Sequence, residues 1–320
     1  MIDPKSRYPQ IQEVSKWLQN RHGGADFDIE PLSGGFWSSA YVYLVGTEKL
    51  VLRFSDMSEG FRIDVAAMQF ATANLPVPEV VETGEALGFH YAISKHHSGR
   101  FIEDTPIEKA DAVGGALADL LTSLRSVVAK PRDAVVWYDP ANAKELLWRD
   151  WISSGLVDTP GERVSGWRSG IAANRRIDAV FRACESRINK LLASCPERRD
   201  LVHGDLLHQN VLVDSDAAHV TAIFSWKCSV RGDFLFDVAW CTFWGPWHPG
   251  IEAADMWRRT LEARDLHPSD LVDAPSRHHC YELQIAATHL AWNQWIGDRD
   301  GLAKVADAAD YILERGALSD

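Results

Sequence analysis

Apolar residues follow two patterns along the chain, one typical of strands near the beginning and one typical of helices over most of the rest. Residues 28–54 contain AYVYLV and KLVLRF, rich in β-branched and aromatic residues, on either side of the turn sequence GTE. This predicts two or three strands. Helical spacing over 61–73 predicts a helix, and the prolines in the following segment NLPVPEVVETG would end it. The segment FHYAISK at 89–95 predicts another strand.

Helical spacing dominates after Gly99. The segments that show it are 110–128, 142–156, 177–195 and much of 250–318. The exception is 201–226, which predicts a loop, a strand, a turn and a strand. We therefore predict an α+β fold with two lobes: a small sheet-rich lobe at 1–97 and a larger helical lobe at 98–320.

Composition and charge narrow the functional classes. The chain has 320 residues, 46% of them hydrophobic, which is enough for a large core. No apolar run approaches the length of a membrane span, and the polar N-terminus lacks a signal segment, so we expect a cytoplasmic protein. A formal net charge of −12 disfavours a nucleic-acid partner. It would attract a cationic small molecule, although solubility is the better explanation of the charge when no other evidence is considered.

Cysteine and histidine positions give little indication of metal or disulfide chemistry. The five cysteines are odd in number and lack C-x-x-C spacing, which favours reduced, mostly buried thiols. The adjacent pair His96 and His97 and the run 278–280, HHC, have no second ligand pair at zinc spacing. We therefore disfavour a metal site at either position.

The pattern H-x-D-x4-N occurs at His203, Asp205 and Asn210. Phosphoryl transfer needs such a pair, because the carboxylate can accept or orient a substrate hydroxyl and the amide oxygen can hold a metal ion on the phosphates. The alternative is a loop in which Asp and Asn only satisfy backbone groups. Features upstream favour the first interpretation.

Two upstream features could bind phosphates. LSGGFWSSAY at 32–41 has glycines that let backbone amides approach phosphates, and serines that add hydroxyl donors, although a glycine hairpin turn looks similar. Arg53 lies on the next predicted strand, where a cation would pair with phosphates and Asp64 on the following helix would hold it. The alternative is a strand-end arginine in solvent.

These segments, in this order, resemble the aminoglycoside phosphotransferase family, which has a protein-kinase-like fold. The resemblance spans nearly the whole chain and is carried by LSGG, VLRF, LPVPEV, HGDLLHQNVLVD and GDFLFDVAW. Within the family, the chain is most similar to the members that phosphorylate hygromycin B. This similarity is carried by Arg instead of Lys at position 53 and by the segments LWRDWI and FWGPW.

The resemblance implies a role for each position. Asp205 would be the catalytic carboxylate, His203 structural, and Asp237 the buried acid that binds the backbone of the catalytic loop. The implied nucleotide site comprises Ser33, Gly34, Gly35, Ser38, Arg53, Asp64, Ser94, Lys95, His96 and His97. The implied metal positions are Asn210 and Ser225. The implied acceptor cleft comprises Asp150, Trp151, Trp240, Trp244 and Trp247, although tryptophans at helical spacing are more often typical of a core.

Ser225 departs from the family pattern. The family has an Asp here that serves as the principal metal ligand, whereas this chain reads IFSW. Mg²⁺ prefers anionic oxygen, and a serine hydroxyl is neutral. Three explanations are open: an engineered substitution that impairs the enzyme, a natural weak kinase or pseudokinase, or replacement by another acid. We favour the first two, because neither Asp214 nor Asp233 obviously points to the same place.

The function implied is transfer of phosphate from ATP or GTP, with Mg²⁺, to a hydroxyl of an aminocyclitol antibiotic such as hygromycin B. Kinases of choline, homoserine, methylthioribose or macrolides are alternatives within the superfamily. A non-catalytic, nucleotide-binding pseudokinase is an alternative of a different class. We expect a monomer that binds a small cationic sugar and neither nucleic acid nor membrane.

Overall fold

A five-stranded antiparallel sheet forms the centre of the N-terminal part. The computed structural model describes residues 7–24, 28–32, 35–127, 138–139, 144–145 and 147–319. The elements in this part are α1 (Ile11–Arg21), β1 (Ile29–Leu32), β2 (Ser39–Val45), β3 (Glu48–Ser55), α2 (Glu59–Ala67), β4 (Val80–Ala86) and β5 (Phe89–Lys95). The strands lie in the order β1-β2-β3-β5-β4.

One face of this sheet is apolar because buried side chains alternate along β2 and β3. They pack against Val14 and Leu18 of α1 in a separate N-terminal core. The register places Ala40 of β2 opposite Arg53 of β3. The segment that precedes β2 therefore enters the sheet beside Arg53.

The rest of the described chain is mainly helical. Its elements are β6 (Arg100–Phe101), α3 (Ala110–Ser126), β7 (Tyr138–Asp139), β8 (Lys144–Glu145), α4 (Trp148–Ser154), α5 (Trp167–Ala173), α6 (Arg175–Leu191), β9 (Asp200–Val202), β10 (Val211–Val213), β11 (Val220–Ile223), β12 (Val230–Gly232), α7 (Leu235–Trp244), α8 (Pro249–Ala254), α9 (Met256–Leu261), α10 (Ala274–Ile296) and α11 (Arg299–Arg315). The long helix α10 packs against α5, α6, α7 and α11. The predicted α+β class is confirmed.

A small sheet in this helical part carries the predicted catalytic segment. β10 pairs with β11 and, on its other edge, with β6. Since β6 lies just after the predicted boundary at 97/98, the hairpin is joined to the connection between the two parts. The boundary at 97/98 itself stays a prediction.

Two predicted helices were wrong in extent. The helix predicted over 142–156 begins only at Trp148, because the N–H groups of Trp148 and Arg149 donate to the Glu197 carboxylate at 2.7 and 3.3 Å. Its start is thus fixed by a residue distant in sequence. The helix predicted over 61–73 spans only 59–67, followed by a short 3₁₀ turn at 68–70.

All five cysteines are free, and all but Cys228 are buried. None of the helices in the described ranges combines the length and the apolar character needed to cross a bilayer.

Candidate active site

The predicted catalytic segment between β9 and β10 is held by a carboxylate from α7. Asp237 accepts hydrogen bonds from the His203 N–H and the Gly204 N–H, each at 2.8 Å. Burial raises the pKa of Asp237 to about 7, and the two backbone donors act against that rise. Helix α7 therefore sets the position at which the loop leaves β9.

His203 connects this loop to the end of β11. The ring is fully buried, with Nε2 3.2 Å from the Phe224 carbonyl oxygen and Nδ1 accepting from the Asp205 N–H at 3.3 Å. Burial lowers the pKa of His203 to about 4, so the ring is neutral near pH 7. The two contacts together require the proton on Nε2.

Asp205 and Asn210 are brought into contact. Asp205 Oδ2 accepts from Asn210 Nδ2 at 2.8 Å, and Asp205 Oδ1 lies 2.8 Å from His208 Nδ1. Asn210 Nδ2 also donates to the carbonyls of Asp205 and Leu207 at 2.7 and 3.1 Å. Burial raises the pKa of Asp205, while His208 and Asn210 lower it. With its amide nitrogen used in this way, Asn210 has its Oδ1 atom to offer a cation.

The turn between these two residues is held by a group that sequence reasoning missed. His208 and Gln209 both have left-handed backbones, with φ of 63° and 66°. The buried Glu103 carboxylate accepts a hydrogen bond from the Gln209 N–H. The motif leaves positions 208 and 209 unspecified, and Glu103 lies far away in sequence, so no local signal indicated these contacts.

Arg53 and Asp64 also form a pair. Arg53 Nη2 lies 2.6 Å from Asp64 Oδ2, and Asp64 Oδ1 accepts from the Trp226 N–H at 3.0 Å. The Arg53 side chain keeps 19% of its surface exposed, so it stays accessible to a ligand. Asp64 thereby links the cation on β3 to the residue that follows Ser225.

The glycine turn before β2 lies next to this pair. Gly35 has a φ of 71°, a left-handed backbone suited to glycine. Ser38 follows and leads into β2, where Ala40 faces Arg53. Ser33 and Gly34, also predicted to contact nucleotide, lie outside the described residues.

The predicted purine segment forms the end of β5 and the residues after it. Ser94 lies within the ladder between β3 and β4. The Lys95 N–H donates to the Glu79 carbonyl at 2.9 Å, and the His96 N–H donates to the Lys49 carbonyl at 3.2 Å. Because these two N–H groups already have partners, a purine at this edge would have to bind backbone groups other than these two. The adjacent His97 ring contacts the Thr221 carbonyl, with Nδ1 2.8 Å from it.

Ser225 has a left-handed backbone, with φ 69° and ψ 53°. The preceding residue, Phe224, donates its N–H to the Asn210 carbonyl at 3.1 Å, which places this segment beside Asn210. Ser225 and Asn210 offer only neutral oxygens, and Mg²⁺ prefers anionic ones. These two residues alone therefore do not fit a Mg²⁺ site.

The acids considered as replacements are engaged elsewhere. Asp214 accepts from the Ala218 N–H at 2.9 Å and contacts His219 Nδ1 at 3.0 Å, within its own turn. Asp233 accepts two bonds from Arg277, both at 2.7 Å. The described parts of the chain contain no group of three or more His, Cys, Asp or Glu side chains placed to hold a metal.

Three of the predicted acceptor-site tryptophans lie together near the catalytic loop. The ring centroid of His208 is 5.7 Å from that of Trp240 and 4.7 Å from that of Trp244, and Trp247 lies 5.3 Å beyond Trp244. The indole N–H groups of Trp240 and Trp244 are buried and have no hydrogen-bond partner among the described residues. Each is an unsatisfied buried donor, which a polar ligand could reach only if the surrounding side chains move.

His289 of α10 packs against Trp240 and Trp244, although no sequence pattern indicated it. Its ring lies 5.3 Å from Trp240 and 4.9 Å from Trp244. Burial lowers the pKa of His289 to about 3. This face of α10 is therefore neutral and aromatic.

Trp151 and Asp150 have a different setting. Trp151 stacks on Trp148 at 4.9 Å with an interplanar angle of 9°, and lies 5.2 Å from Phe236, which separates it from Trp240. Asp150 is exposed in the first turn of α4. Their proposed roles in acceptor binding stay predictions.

An Asp and an Asn in contact within one loop, a glycine turn before a strand, and a cation and acid pair between strand and helix are together typical of a protein-kinase-like phosphotransferase. The chain belongs to the phosphotransferase enzyme family, APH, whose sequence model matches residues 28–271. The resemblance to the aminoglycoside phosphotransferases and the kinase-like fold are thus confirmed. The protein is a phosphotransferase of a kind whose relatives use an alcohol group as acceptor.

Individual relatives match over nearly the whole length. Hygromycin-B 4-O-kinase from Escherichia coli is 29% identical over 310 residues, which cover 95% of this chain and 85% of the relative. A crystal structure of aminoglycoside phosphotransferase APH(4)-Ia matches with a TM-score of 0.79 and 26% identity, over 97% of this chain and 100% of the other. A thermostable mutant of that protein, in a ternary complex with AMP-PNP and hygromycin B, matches with a TM-score of 0.77 and 28% identity, over 94% and 98%.

Proposed function

We propose that this protein transfers the γ-phosphoryl group of ATP or GTP to a hydroxyl of an aminocyclitol antibiotic such as hygromycin B. The observation that carries the proposal is the position of Asp205, which contacts Asn210 and also His208, whose ring packs against Trp240 and Trp244. Support comes from the hygromycin-B 4-O-kinase relative, which matches across both parts of the chain.

In this proposal Asp205 accepts the proton of the acceptor hydroxyl. The hydroxyl oxygen forms a bond to the γ-phosphorus, and the bond from that phosphorus to the β–γ bridging oxygen breaks. The nucleoside diphosphate leaves with the electron pair, and Arg53 neutralises charge on the phosphates. The N-terminal part, 1–97, would bind the nucleotide and 98–320 the acceptor.

Magnesium would supply charge stabilisation on the phosphates when bound. Since Ser225 and Asn210 are both neutral, the ion would depend mainly on nucleotide oxygens in this cleft. The acidic surface implied by the net charge of −12 suits a polycationic acceptor. A cytoplasmic monomer stays a prediction.

The test is to incubate the protein with ATP or GTP and Mg²⁺ and to measure acceptor phosphorylation by mass spectrometry. The panel contains hygromycin B, other aminoglycosides, a macrolide, choline, homoserine and methylthioribose. Phosphorylated hygromycin B supports the proposal. Phosphorylation of another panel member instead would assign that acceptor.

Ser225 favours one further candidate, a nucleotide-binding protein with little or no transfer activity. It predicts that ADP binds measurably while no acceptor gains a phosphate, with or without Mg²⁺. Calorimetric titration with ADP, run beside the transfer assay, distinguishes the two functions.

A further inference from the structure

Four aromatic side chains join the glycine turn to the end of α10. Phe36 and Trp37 follow Gly35, and Trp292 and Trp295 lie in the last turns of α10; we call these four residues the aromatic clasp. Ring centroids are separated by 5.0 Å for Phe36–Trp292, 6.2 Å for Phe36–Trp295, 5.4 Å for Trp37–Trp292 and 5.6 Å for Trp37–Trp295. Since α10 belongs to the helical part, the clasp connects the two parts of the molecule.

Polar contacts fix the same turn. The Arg163 guanidinium lies 3.4 Å from the centroid of the Trp37 ring and forms an ion pair with Asp56 at 3.1 Å. The Trp37 carbonyl accepts from the Tyr8 hydroxyl at 2.7 Å and from Ser55 Oγ at 3.0 Å. Both the backbone and the ring of Trp37 are thus held in one place.

The clasp lies between the two halves of the candidate active site. On one side, the turn leads through Ser38 to β2, where Ala40 faces Arg53. On the other side, Trp292 follows His289 by three residues on α10 and so shares its face of the helix. His289 contacts Trp244, one of the tryptophans proposed for the acceptor site. The clasp therefore extends from the phosphate side to the acceptor side of the cleft.

We propose that the aromatic clasp determines the choice of phosphoryl acceptor, favouring a sugar hydroxyl over water, by holding residues 35–38 at the phosphate side of the cleft. The inference rests on the proposed function. In transfer, the acceptor oxygen bonds to the γ-phosphorus, the bond to the bridging oxygen breaks, and Asp205 takes the hydroxyl proton. In hydrolysis, a water oxygen takes the place of the acceptor, and inorganic phosphate and the diphosphate are released.

The physical reason is exclusion of solvent. A closed turn keeps water from the γ-phosphoryl group, and an aromatic contact between the two parts of the chain favours the closed state without needing a ligand. Because the clasp is apolar and its four residues are distinct from Arg53 and Asp205, its loss should leave those two groups in place.

The experiment compares the parent with Trp292→Ala, Trp292→Phe and Trp17→Ala. Trp17 packs on Phe54 and Tyr91 in the N-terminal core and serves as a matched loss of an indole outside the clasp. Two quantities are measured: the ratio of acceptor-independent nucleotide hydrolysis to hygromycin B phosphorylation, and the dissociation rate of fluorescent mant-ADP.

Trp292→Ala should raise both quantities by about fivefold, the order of effect expected for losing aromatic contacts of this kind. Trp292→Phe and Trp17→Ala should stay within about twofold of the parent, because a ring remains in the clasp or the clasp is intact. Phe36→Ala, which removes a ring from the N-terminal half of the clasp, should raise both quantities as Trp292→Ala does. The Phe36→Ala/Trp292→Ala double variant should add little to either single change, because the two rings contact each other.

The proposal is overturned if Trp292→Ala and Phe36→Ala both leave the ratio and the mant-ADP dissociation rate unchanged. If the parent phosphorylates no acceptor, the proposed function fails independently. In that case, the rates of nucleotide hydrolysis and of mant-ADP dissociation test the clasp proposal. Faster rates in the clasp variants support it, and unchanged rates overturn it.

Discussion

Arg53 Nη2 lies 2.6 Å from Asp64 Oδ2, while the second oxygen of Asp64 accepts from the backbone N–H of Trp226 at 3.0 Å. One carboxylate on α2 thus orients a strand cation and, at the same time, holds the chain immediately after Ser225. The cation proposed to bind phosphates and the position proposed for the metal are therefore linked through a single side chain.

Replacing Arg53 with Met should weaken ADP binding on the order of tenfold or more, because a cation that makes charge-assisted hydrogen bonds is lost. Isothermal titration with ADP measures the change. Arg53→Lys, which keeps the charge but lacks the planar fork, should recover part of the affinity. Unchanged affinity in Arg53→Met would remove this residue from the nucleotide site.

Replacing Asp205 with Ala should lower the transfer rate by a factor on the order of 10²–10⁴, because the group that accepts the hydroxyl proton is removed. ADP affinity should change little. Asp214→Ala is the matched control, since Asp214 contacts only its own turn and His219 in the contacts seen here. Parental transfer rates in Asp205→Ala would refute the assignment.

Contacts that lie within one short segment could be predicted from sequence. Asp205 and Asn210 share a loop of fixed length, so their spacing indicated that they would meet, and they do. Arg53 and Asp64 lie on consecutive elements, where a strand followed by a helix brings them together. Local spacing carries this information because few backbone paths connect such close positions.

Contacts between distant segments could not be predicted in this way. Glu103 supports the Gln209 N–H, and Glu197 fixes the start of α4, across many intervening residues. The aromatic clasp joins positions 36–37 to positions 292–295. Aromatic residues in a glycine turn were a usable signal for unusual packing, but the sequence did not indicate their partner, because tertiary packing alone determines it.

Acid should destabilise the protein through His203. Its pKa is about 4 in the fully buried native site, below the usual value of 6.5 that applies when the chain is unfolded. Between these values the unfolded chain binds the proton and the native state does not, so stability falls as pH drops from about 6.5 towards 4. From pH 7 to pH 5, this group should cost about 2 kcal/mol.

Denaturant titrations at pH 7 and pH 5 measure this loss as the difference between the parent and His203→Asn. The difference is needed because the raised pKa of Asp237 acts in the opposite direction over the same range. His219→Asn, which removes a largely exposed ring, should show the parental change. An equal loss of stability in the parent and in His203→Asn would contradict the prediction.

Ser225→Asp should raise the transfer rate by at least about tenfold, a modest share of the several kcal/mol that a well-held metal ion can supply. The backbone at this position, with φ 69° and ψ 53°, is left-handed, a conformation that Asp and Asn adopt more readily than most residues. An aspartate therefore fits the chain as it stands and adds an anionic oxygen beside Asn210, which Mg²⁺ requires for tight binding. Ser225→Asn shares the backbone preference and nearly the same shape but lacks the charge, so it should not gain activity.

The measurement is the initial rate of phosphate transfer to hygromycin B and other aminoglycosides at saturating ATP, over a titration of Mg²⁺. Equal and substantial rates in the parent and Ser225→Asp would mean that another acid already holds the metal. If both proteins are inactive with an acceptor that the family relatives phosphorylate, the cleft serves binding, independently of this one position.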